Sequence, residues 1–202
     1  MLRAMIVIGG SYKFIKSGQI LKTYLKQELH MVAVCSIATA YANPGALARR
    51  LKIEFDKLLP GDVMLFSYFG HGLRDVWDIN EDFRFSYTMI ANLLNGTLGR
   101  VLFINDCCYS GSIVRIFEEL KVPKNRIGLI ASCKDGQLSL ASELDSNRHR
   151  LAVDVVENWR QATTSICGHV RHPLNINQWF IQPVIRWGAE DPSFRNELGH
   201  SY

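Results

Sequence analysis

The sequence lacks the features that mark several large classes of protein. Its 202 residues contain no apolar run near the roughly 18 residues that a membrane-spanning helix needs. The net charge of +4 is modest and spread along the chain, so it does not point to nucleic acid or to a membrane surface. The five cysteines are an odd number and two of them are adjacent, which argues against a disulfide framework. We therefore expect a reduced, cytoplasmic protein with no nucleic-acid or membrane partner.

Internal repeats, low-complexity tracts and linker-like segments are also absent from the sequence. A chain of this length, with 48% hydrophobic and 21% charged residues, can bury a substantial core. We therefore predict that residues 1–202 form one domain.

Short apolar runs alternate along the chain with segments in which apolar residues recur at helical spacing. The predicted strands are 4–8, 31–37, 63–69, 100–105 and 127–132, and the predicted helices are 14–29, 44–59, 87–94 and 112–120. The segment 73–85 is predicted to be irregular, and a last strand near 180–185 is expected at a sheet edge because Pro183 lacks an N–H. The alternation predicts an α/β fold with a mostly parallel central sheet of about six strands and helices on both faces.

Two of the predicted strands end in residues that can carry chemistry. One ends in Gly70-His71-Gly72 and the next along the chain in Asp106-Cys107-Cys108-Tyr109-Ser110-Gly111. Parallel strands bring their carboxyl ends to one edge, so the imidazole and a cysteine are expected side by side. Such a pair is the minimum for thiolate catalysis, because the imidazole removes the thiol proton and later protonates the leaving amine. Each residue alone is commonly structural, and it is their pairing beside glycines that favours catalysis.

These two motifs, in this order, resemble those of the caspase-like cysteine peptidases, and most of all the metacaspases and paracaspases. That family has an apolar strand ending in S-G-H-G and a later strand ending in D-x-C-x-S-G. The stretch IASCKDGQLS, residues 130–139, is similar to the metacaspase strand ending in S-G-C-x-D-D-Q-x-S. The resemblance covers about 4–139. It implies a caspase-like three-layer sandwich with a large-subunit-like part, 1–138, that holds the catalytic pair and a small-subunit-like part, 151–202.

The resemblance also implies roles for individual residues. Cys108 matches the nucleophile, since it lies three residues before the motif glycine, and Cys107 then occupies the variable position. His71 matches the catalytic histidine. The backbone N–H groups of Gly72 and Cys108 match the oxyanion hole.

Specificity for basic residues follows from the same comparison of motifs. Asp106 matches the acidic residue of the S1 pocket that selects Arg or Lys at P1, and Asp135 is a second candidate for lining that pocket. A buried carboxylate pairs with a guanidinium and repels an aspartate, so cleavage after Asp is not expected. Proteins with Arg or Lys at P1 are the implied substrates of a regulated signalling, defence or cell-death protease. A separate activating protein or a homodimer is the implied means of control.

The sequence departs from the family pattern at several positions. Phe69 stands where a Ser is usual, Tyr109 replaces the usual His after the nucleophile, and Gly136 replaces the second Asp of the D-D pair. The connection from His71 to Asp106 lacks the D-G-D-E-like acidic stretch of metacaspases. We therefore expect no metal or other cofactor, and the sequence does not support calcium dependence.

Three alternatives stay open. Arg148 and Arg150 lie where this superfamily often has a linker that is cut during activation, but an ordinary exposed loop is the simpler interpretation. Trp77 is a candidate lid over substrate, although the tryptophans are more simply explained as core residues. The rival function is an inactive caspase-fold scaffold or interaction module.

The stretch 167–172 has metal-like residue types, but its spacing does not match a structural zinc site.

Overall fold

The computed structural model describes residues 1–9, 12–27, 33–38, 43–80, 83–139 and 185–187. These ranges contain the following elements in chain order: β1 (Leu2–Ile8), α1 (Tyr12–Gln27), β2 (Ala33–Ala38), α2 (Pro44–Phe55), β3 (Val63–Phe69), β4 (His71–Leu73), β5 (Val76–Asn80), β6 (Phe83–Ser86), α3 (Tyr87–Asn95), β7 (Arg100–Asp106), α4 (Ile113–Glu119), β8 (Ile127–Ala131) and β9 (Ile185–Trp187). The predicted strands and helices of this part of the chain are confirmed, with ends that shift by a few residues.

The central sheet has six strands in the order β2-β1-β3-β7-β8-β9. Its first five strands pair in parallel, and β9 pairs antiparallel with β8 at the edge. Every residue of β3 and of β8 is buried, which is typical of parallel strands covered on both faces. The predicted α/β fold with a mostly parallel sheet is therefore confirmed.

Helices pack on both faces of this sheet. Gly18 of α1 lies so close to Ile8 that a Cβ there would be 2.3 Å from the Ile8 Cδ1, so α1 covers the face that carries Ile8. The neighbouring residue Val7 points to the other face, where it joins a core cluster with Leu51 of α2 and Phe117 of α4. The sheet is thus the middle layer between α1 and the helices α2–α4.

The start of α2 is encoded locally. The Asn43 side chain accepts a hydrogen bond of 2.8 Å from the Ala46 N–H, and Pro44 follows at the first helical position. The helix ends at Phe55, about one turn earlier than predicted. The chain then turns at Gly61, whose φ of 91° favours glycine, into the buried strand β3.

The prediction of an irregular segment at 73–85 is wrong. This part of the chain forms β4, β5 and β6, a separate antiparallel sheet in the order β4-β5-β6. The short strands alternate between buried residues such as Trp77 and Phe85 and more exposed residues such as Arg84. Each strand has only three to five residues, so the alternation of apolar and polar side chains is too short to predict a strand from the sequence. The turn at Asp75 also lacks the Asn-Gly or Asp-Gly pair that marks a tight hairpin.

Trp77 is a core residue, so the interpretation as a lid is wrong. Its side chain is fully buried, and its ring stacks on that of Tyr68 with centroids 4.0 Å apart. The ring also lies within 6.0 Å of Phe66 and Phe103, which places it between the two sheets.

Several predicted features fall outside the described residues. They are the self-cleavage candidates Arg148 and Arg150, the stretch 167–172 and, apart from β9, the small-subunit-like part 151–202. Among the helices that are described, none is long and apolar enough to cross a membrane.

Candidate functional site

The sheet topology brings the two candidate motifs to one edge. Strands β3 and β7 are parallel neighbours, and their last residues, Phe69 and Asp106, are paired. His71 and Cys108 each follow two residues beyond that pair. The carboxyl ends of these strands therefore carry the predicted base and nucleophile, as the sequence indicated.

Gly72 shows how closely the two motifs approach each other. A Cβ at this position would lie 2.2 Å from the carbonyl oxygen of Cys108 and 2.7 Å from the Sγ of Cys107. Such distances do not occur between real atoms, so a side chain here would force the two motifs apart. Strand β4 therefore lies directly against the Cys107-Cys108 backbone.

His71 is exposed at the start of β4 and is held from two sides. Its imidazole meets the ring of Phe14 from α1 edge-on, with centroids 4.8 Å apart and an interplanar angle of 89°. Its backbone carbonyl accepts a hydrogen bond of 2.8 Å from the Tyr68 hydroxyl. The sequence reasoning did not identify Phe14 or Tyr68 as supports of the histidine, because both appear there as ordinary apolar positions.

The Cys108 thiol is half-buried and donates a hydrogen bond to the backbone carbonyl of Ser139 across 3.6 Å. Burial is the main cause that raises the pKa of this thiol, and the electrostatic influence of the nearby Cys133 and Asp106 raises it further. No hydrogen bond joins Cys108 to His71 within the part of the chain that the structure describes. The thiol is therefore protonated at neutral pH in this conformation, with its proton directed at Ser139.

Cys107 has a different environment from its neighbour. It is buried, contacts the Tyr87 hydroxyl at 3.4 Å, and donates to Oδ1 of Asn105 at 3.5 Å. Burial raises the pKa of the Cys107 thiol well above its usual range, although the bond to Tyr87 opposes that effect. A thiol of this kind is a packing residue, as expected for the variable position of the motif.

Asn105 organises the turn that carries the candidate nucleophile Cys108, and the sequence reasoning missed it. Its Oδ1 accepts from Trp77 Nε1 at 2.9 Å, and its Nδ2 donates to the Tyr87 hydroxyl and to the Ser110 carbonyl, each at 3.2 Å. The only signal in the sequence is a polar residue at the end of the apolar run Val101–Ile104. This network fixes both ends of the turn, which passes through Tyr109 at a positive φ of 56°.

The two predicted pocket carboxylates lie in different surroundings. Asp106 is only 2% exposed, and its Oδ1 accepts a hydrogen bond of 3.3 Å from the Ser139 hydroxyl. Asp135 is exposed and forms an ion pair with Arg74 at 3.4 Å. Asp106 therefore lies close enough to Cys108 for its charge to act on that thiol, whereas Asp135 is paired with an arginine of the chain itself.

A short stretch, Gln137–Ser139, which we call the covering segment, lies over the candidate site. The Gln137 carbonyl accepts two hydrogen bonds, one of 2.8 Å from the Tyr109 N–H and one of 3.3 Å from the Cys133 thiol. Ser139 then contacts both Cys108 and Asp106. The covering segment therefore occupies polar groups of both Cys108 and Asp106.

No metal site was found in the described residues, since no three His, Cys, Asp or Glu side chains in them form a group that could hold an ion. The oxyanion-hole roles of the Gly72 and Cys108 amides stay predictions.

Comparisons with known proteins add information on the fold. No protein-family model matches the chain, and no curated protein matches it by sequence. The chain is similar to the crystal structure of protein GSU0716 from Geobacter sulfurreducens, with a TM-score of 0.64 and 16% sequence identity. The similarity covers 95% of this chain and 96% of the Geobacter chain. At this identity it shows a shared fold alone.

Proposed function

We propose that the protein is a cysteine endopeptidase of caspase-like, three-layer architecture that cleaves proteins after arginine or lysine. The observation that carries the proposal is the contact of Gly72 with the Cys107-Cys108 backbone, which brings the Gly-His-Gly motif against the candidate nucleophile.

In the proposed reaction, the His71 imidazole removes the proton from the Cys108 thiol. The thiolate sulfur attacks the scissile carbonyl carbon, and the backbone N–H groups of Gly72 and Cys108 stabilise the resulting oxyanion. The imidazolium then protonates the leaving amine, which releases the C-terminal product and leaves a thioester on Cys108. Water, deprotonated by the same imidazole, hydrolyses the thioester and restores the thiol.

Asp106 is the residue proposed to select the P1 side chain. A carboxylate that is almost fully buried favours a guanidinium, because the ion pair and its two hydrogen bonds compensate for desolvation of both groups. An aspartate at P1 would place two negative charges together without compensation. Substrate binding at Asp106 requires that the Ser139 hydroxyl move away from it.

The conformation described here is the resting state of the proposed enzyme. The Cys108 thiol faces the covering segment, and its pKa is raised by burial. Activation would displace the covering segment, which frees the thiol to meet the imidazole and opens the carboxylate to substrate.

The hydrogen bond from the Cys108 thiol to the Ser139 carbonyl also supports a second candidate function, that of an inactive caspase-fold scaffold. A half-buried, protonated thiol bound to a backbone carbonyl has the properties of a structural cysteine. On this alternative, the covering segment is permanent and Cys108 does not react.

A thiol-reactive peptide ketone with arginine at P1 distinguishes the two functions. If the protein is a peptidase, we expect covalent labelling of Cys108 by the arginyl ketone and much slower labelling by an aspartyl ketone. The labelling should be lost in His71→Ala and should persist in Cys35→Ala. Cys35 is a matched control because it is a partly buried cysteine of β2 outside the candidate site. Labelling that is equal for the two ketones, or that is absent from Cys108 in both the wild type and the Ser139→Ala variant with a loosened covering segment, would support the scaffold.

A further inference from the structure

The small sheet β4-β5-β6 places a carboxylate beside the candidate base. In the antiparallel pair of β4 and β5, His71 lies directly opposite Asp78. Residues that face each other across such a pair point to the same side of the sheet, with Cβ atoms about 4.5–5.5 Å apart. The side chains of His71 and Asp78 therefore share one face and lie within reach of each other.

That face is the one that meets solvent. His71 is exposed, whereas the next residue of β4, Gly72, is buried. Along β5, the buried Trp77 and Ile79 flank Asp78, whose side chain is 31% exposed. This alternation directs the Asp78 carboxylate outward, to the side on which the imidazole lies.

A third charged residue lies on the other side of Asp78. Arg84 is opposite Asp78 in the pair of β5 and β6, so His71, Asp78 and Arg84 form one row across the three strands. The Arg84 Nε is 3.7 Å from the Asp78 Oδ1, beyond the usual hydrogen-bond distance, and the Arg84 side chain is 62% exposed. Exposed ion pairs of this length are weak, so Arg84 leaves the carboxylate able to turn to the imidazole.

The charge of Asp78 also acts on a group that is bound to His71. The Tyr68 hydroxyl donates a hydrogen bond to the His71 backbone carbonyl. Burial raises the pKa of this hydroxyl well above its usual range, and the electrostatic influence of Cys107 and of Asp78 raises it further. The carboxylate is therefore close enough to the His71 end of β4 to act on its surroundings.

We propose that Asp78 is a positioning residue for the His71 imidazole; the catalytic part of this inference rests on the proposed peptidase function. The carboxylate accepts a hydrogen bond from one ring nitrogen, which directs the other nitrogen to Cys108 once the covering segment is displaced. A third group that orients the base in this way is a general feature of activated nucleophiles. The carboxylate also stabilises the imidazolium that forms when the thiol loses its proton.

Arg84 competes with His71 for the same carboxylate. Its cation draws the Asp78 charge toward β6, which weakens the hold of Asp78 on the imidazole. Asp78→Asn and Arg84→Gln should therefore change the behaviour of His71 in opposite directions. Two variants with opposite effects separate positioning from a general loss of stability.

Steady-state kinetics on an arginyl peptide test the catalytic part, in the Ser139→Ala background that loosens the covering segment. Asp78→Asn should lower kcat by at least about tenfold and change KM by less than about twofold, because the carboxylate acts through the base and not on bound substrate. Arg84→Gln should raise kcat by about twofold, since the competing pair is weak. Asp56→Asn is the matched control, because it removes an exposed carboxylate that pairs with Lys52 at 2.8 Å at the far end of α2.

Nitrogen NMR of the imidazole tests the positioning without any need for activity. The His71 signals are those that are absent from the spectrum of His71→Gln. The shifts of the two ring nitrogens report which of them carries the proton in the neutral ring. Asp78→Asn should change the proportions of the two tautomers, Arg84→Gln should change them in the opposite direction, and Asp56→Asn should leave them as in the wild type.

Each outcome decides the proposal. A changed tautomer ratio in Asp78→Asn, with a loss in kcat that Asp56→Asn does not show, would support it. Unchanged His71 signals in Asp78→Asn, or an unchanged kcat in an active enzyme, would overturn it. If no variant cleaves the peptide, the proposed peptidase function fails, and the His71 signals alone decide whether Asp78 orients the imidazole.

Discussion

The hydroxyl of Ser139 donates a hydrogen bond of 3.3 Å to Oδ1 of Asp106, the carboxylate proposed to bind the substrate's arginine. The carbonyl of the same serine accepts from the Cys108 thiol at 3.6 Å. One residue of the covering segment therefore engages both the proposed nucleophile and the proposed specificity residue. If the proposed peptidase function is correct, the segment occupies the place of a substrate, and activation requires its displacement.

Ser139→Ala is expected to increase the reactivity of Cys108. The substitution removes the hydroxyl that binds Asp106, and a hydrogen bond to a charged group contributes about 1.5–3 kcal/mol. Weaker closure of the covering segment should raise the rate of labelling by an arginyl ketone by about tenfold. The measurement is the labelling rate under pseudo-first-order conditions. Ser36→Ala, an exposed serine of β2, is the control, and a slower rate in Ser139→Ala than in that control would contradict the role of the segment.

The pH dependence of Cys108 alkylation reports its environment. Because burial is the main cause that raises the pKa of this thiol, the folded protein holds the proton at pH values where an exposed cysteine has lost it. The iodoacetamide rate should therefore rise with pH through a midpoint above the usual value of about 8.5. Ser139→Ala should shift that midpoint downward as the thiol becomes hydrated. A midpoint below neutral pH in the wild type would show that the thiol is already activated.

Asn105→Leu should destabilise the protein strongly. It leaves the Trp77 Nε1–H, the Tyr87 hydroxyl and the Ser110 carbonyl without their buried partner. At about 1–3 kcal/mol for each unsatisfied group, the free energy of unfolding should fall by roughly 3 kcal/mol or more. Urea denaturation measures the change. Asn92→Leu, on the exposed side of α3, should change stability by less than about 0.5 kcal/mol, and an equal loss in both variants would argue against the network.

Phe14→Leu should impair catalysis more than stability. The Phe14 ring and the His71 imidazole form an edge-to-face pair, and leucine keeps most of the buried volume without that contact. A base displaced by about 1 Å can lose up to roughly a hundredfold in rate, so kcat should fall by at least about tenfold with little change in KM. Steady-state kinetics on an arginyl peptide provide the measurement. Phe55→Leu changes a similar edge-to-face pair, with Phe66, away from the site and should leave kcat unchanged.

Local pattern explains which parts of the molecule the sequence could predict. The five parallel strands were recognised because they are continuous apolar runs, and the juxtaposition of His71 with Cys108 follows from strands β3 and β7 being neighbours. The small sheet β4-β5-β6 was missed because its strands are short and its stabilising contacts are not local. Trp77 is buried by Tyr68 and by partners from β6 and β7, which no short-range period can reveal.

The covering segment was missed for a related reason. In the sequence, residues 137–139 are the end of the third motif on which the resemblance to the family rests. Their contacts with Cys108 and Asp106 join residues 31 and 33 positions apart.

Hydrolysis of two fluorogenic peptides that differ only at P1, Arg against Asp, tests the proposed peptidase most directly. Four proteins are compared: the wild type, Ser139→Ala, Cys108→Ala and the double variant Ser139→Ala/Cys108→Ala. The predicted result is turnover of the arginyl peptide that is faster in Ser139→Ala and abolished by Cys108→Ala, with no turnover of the aspartyl peptide. Turnover of the aspartyl peptide alone, or no turnover of either peptide by any of the proteins, would contradict it.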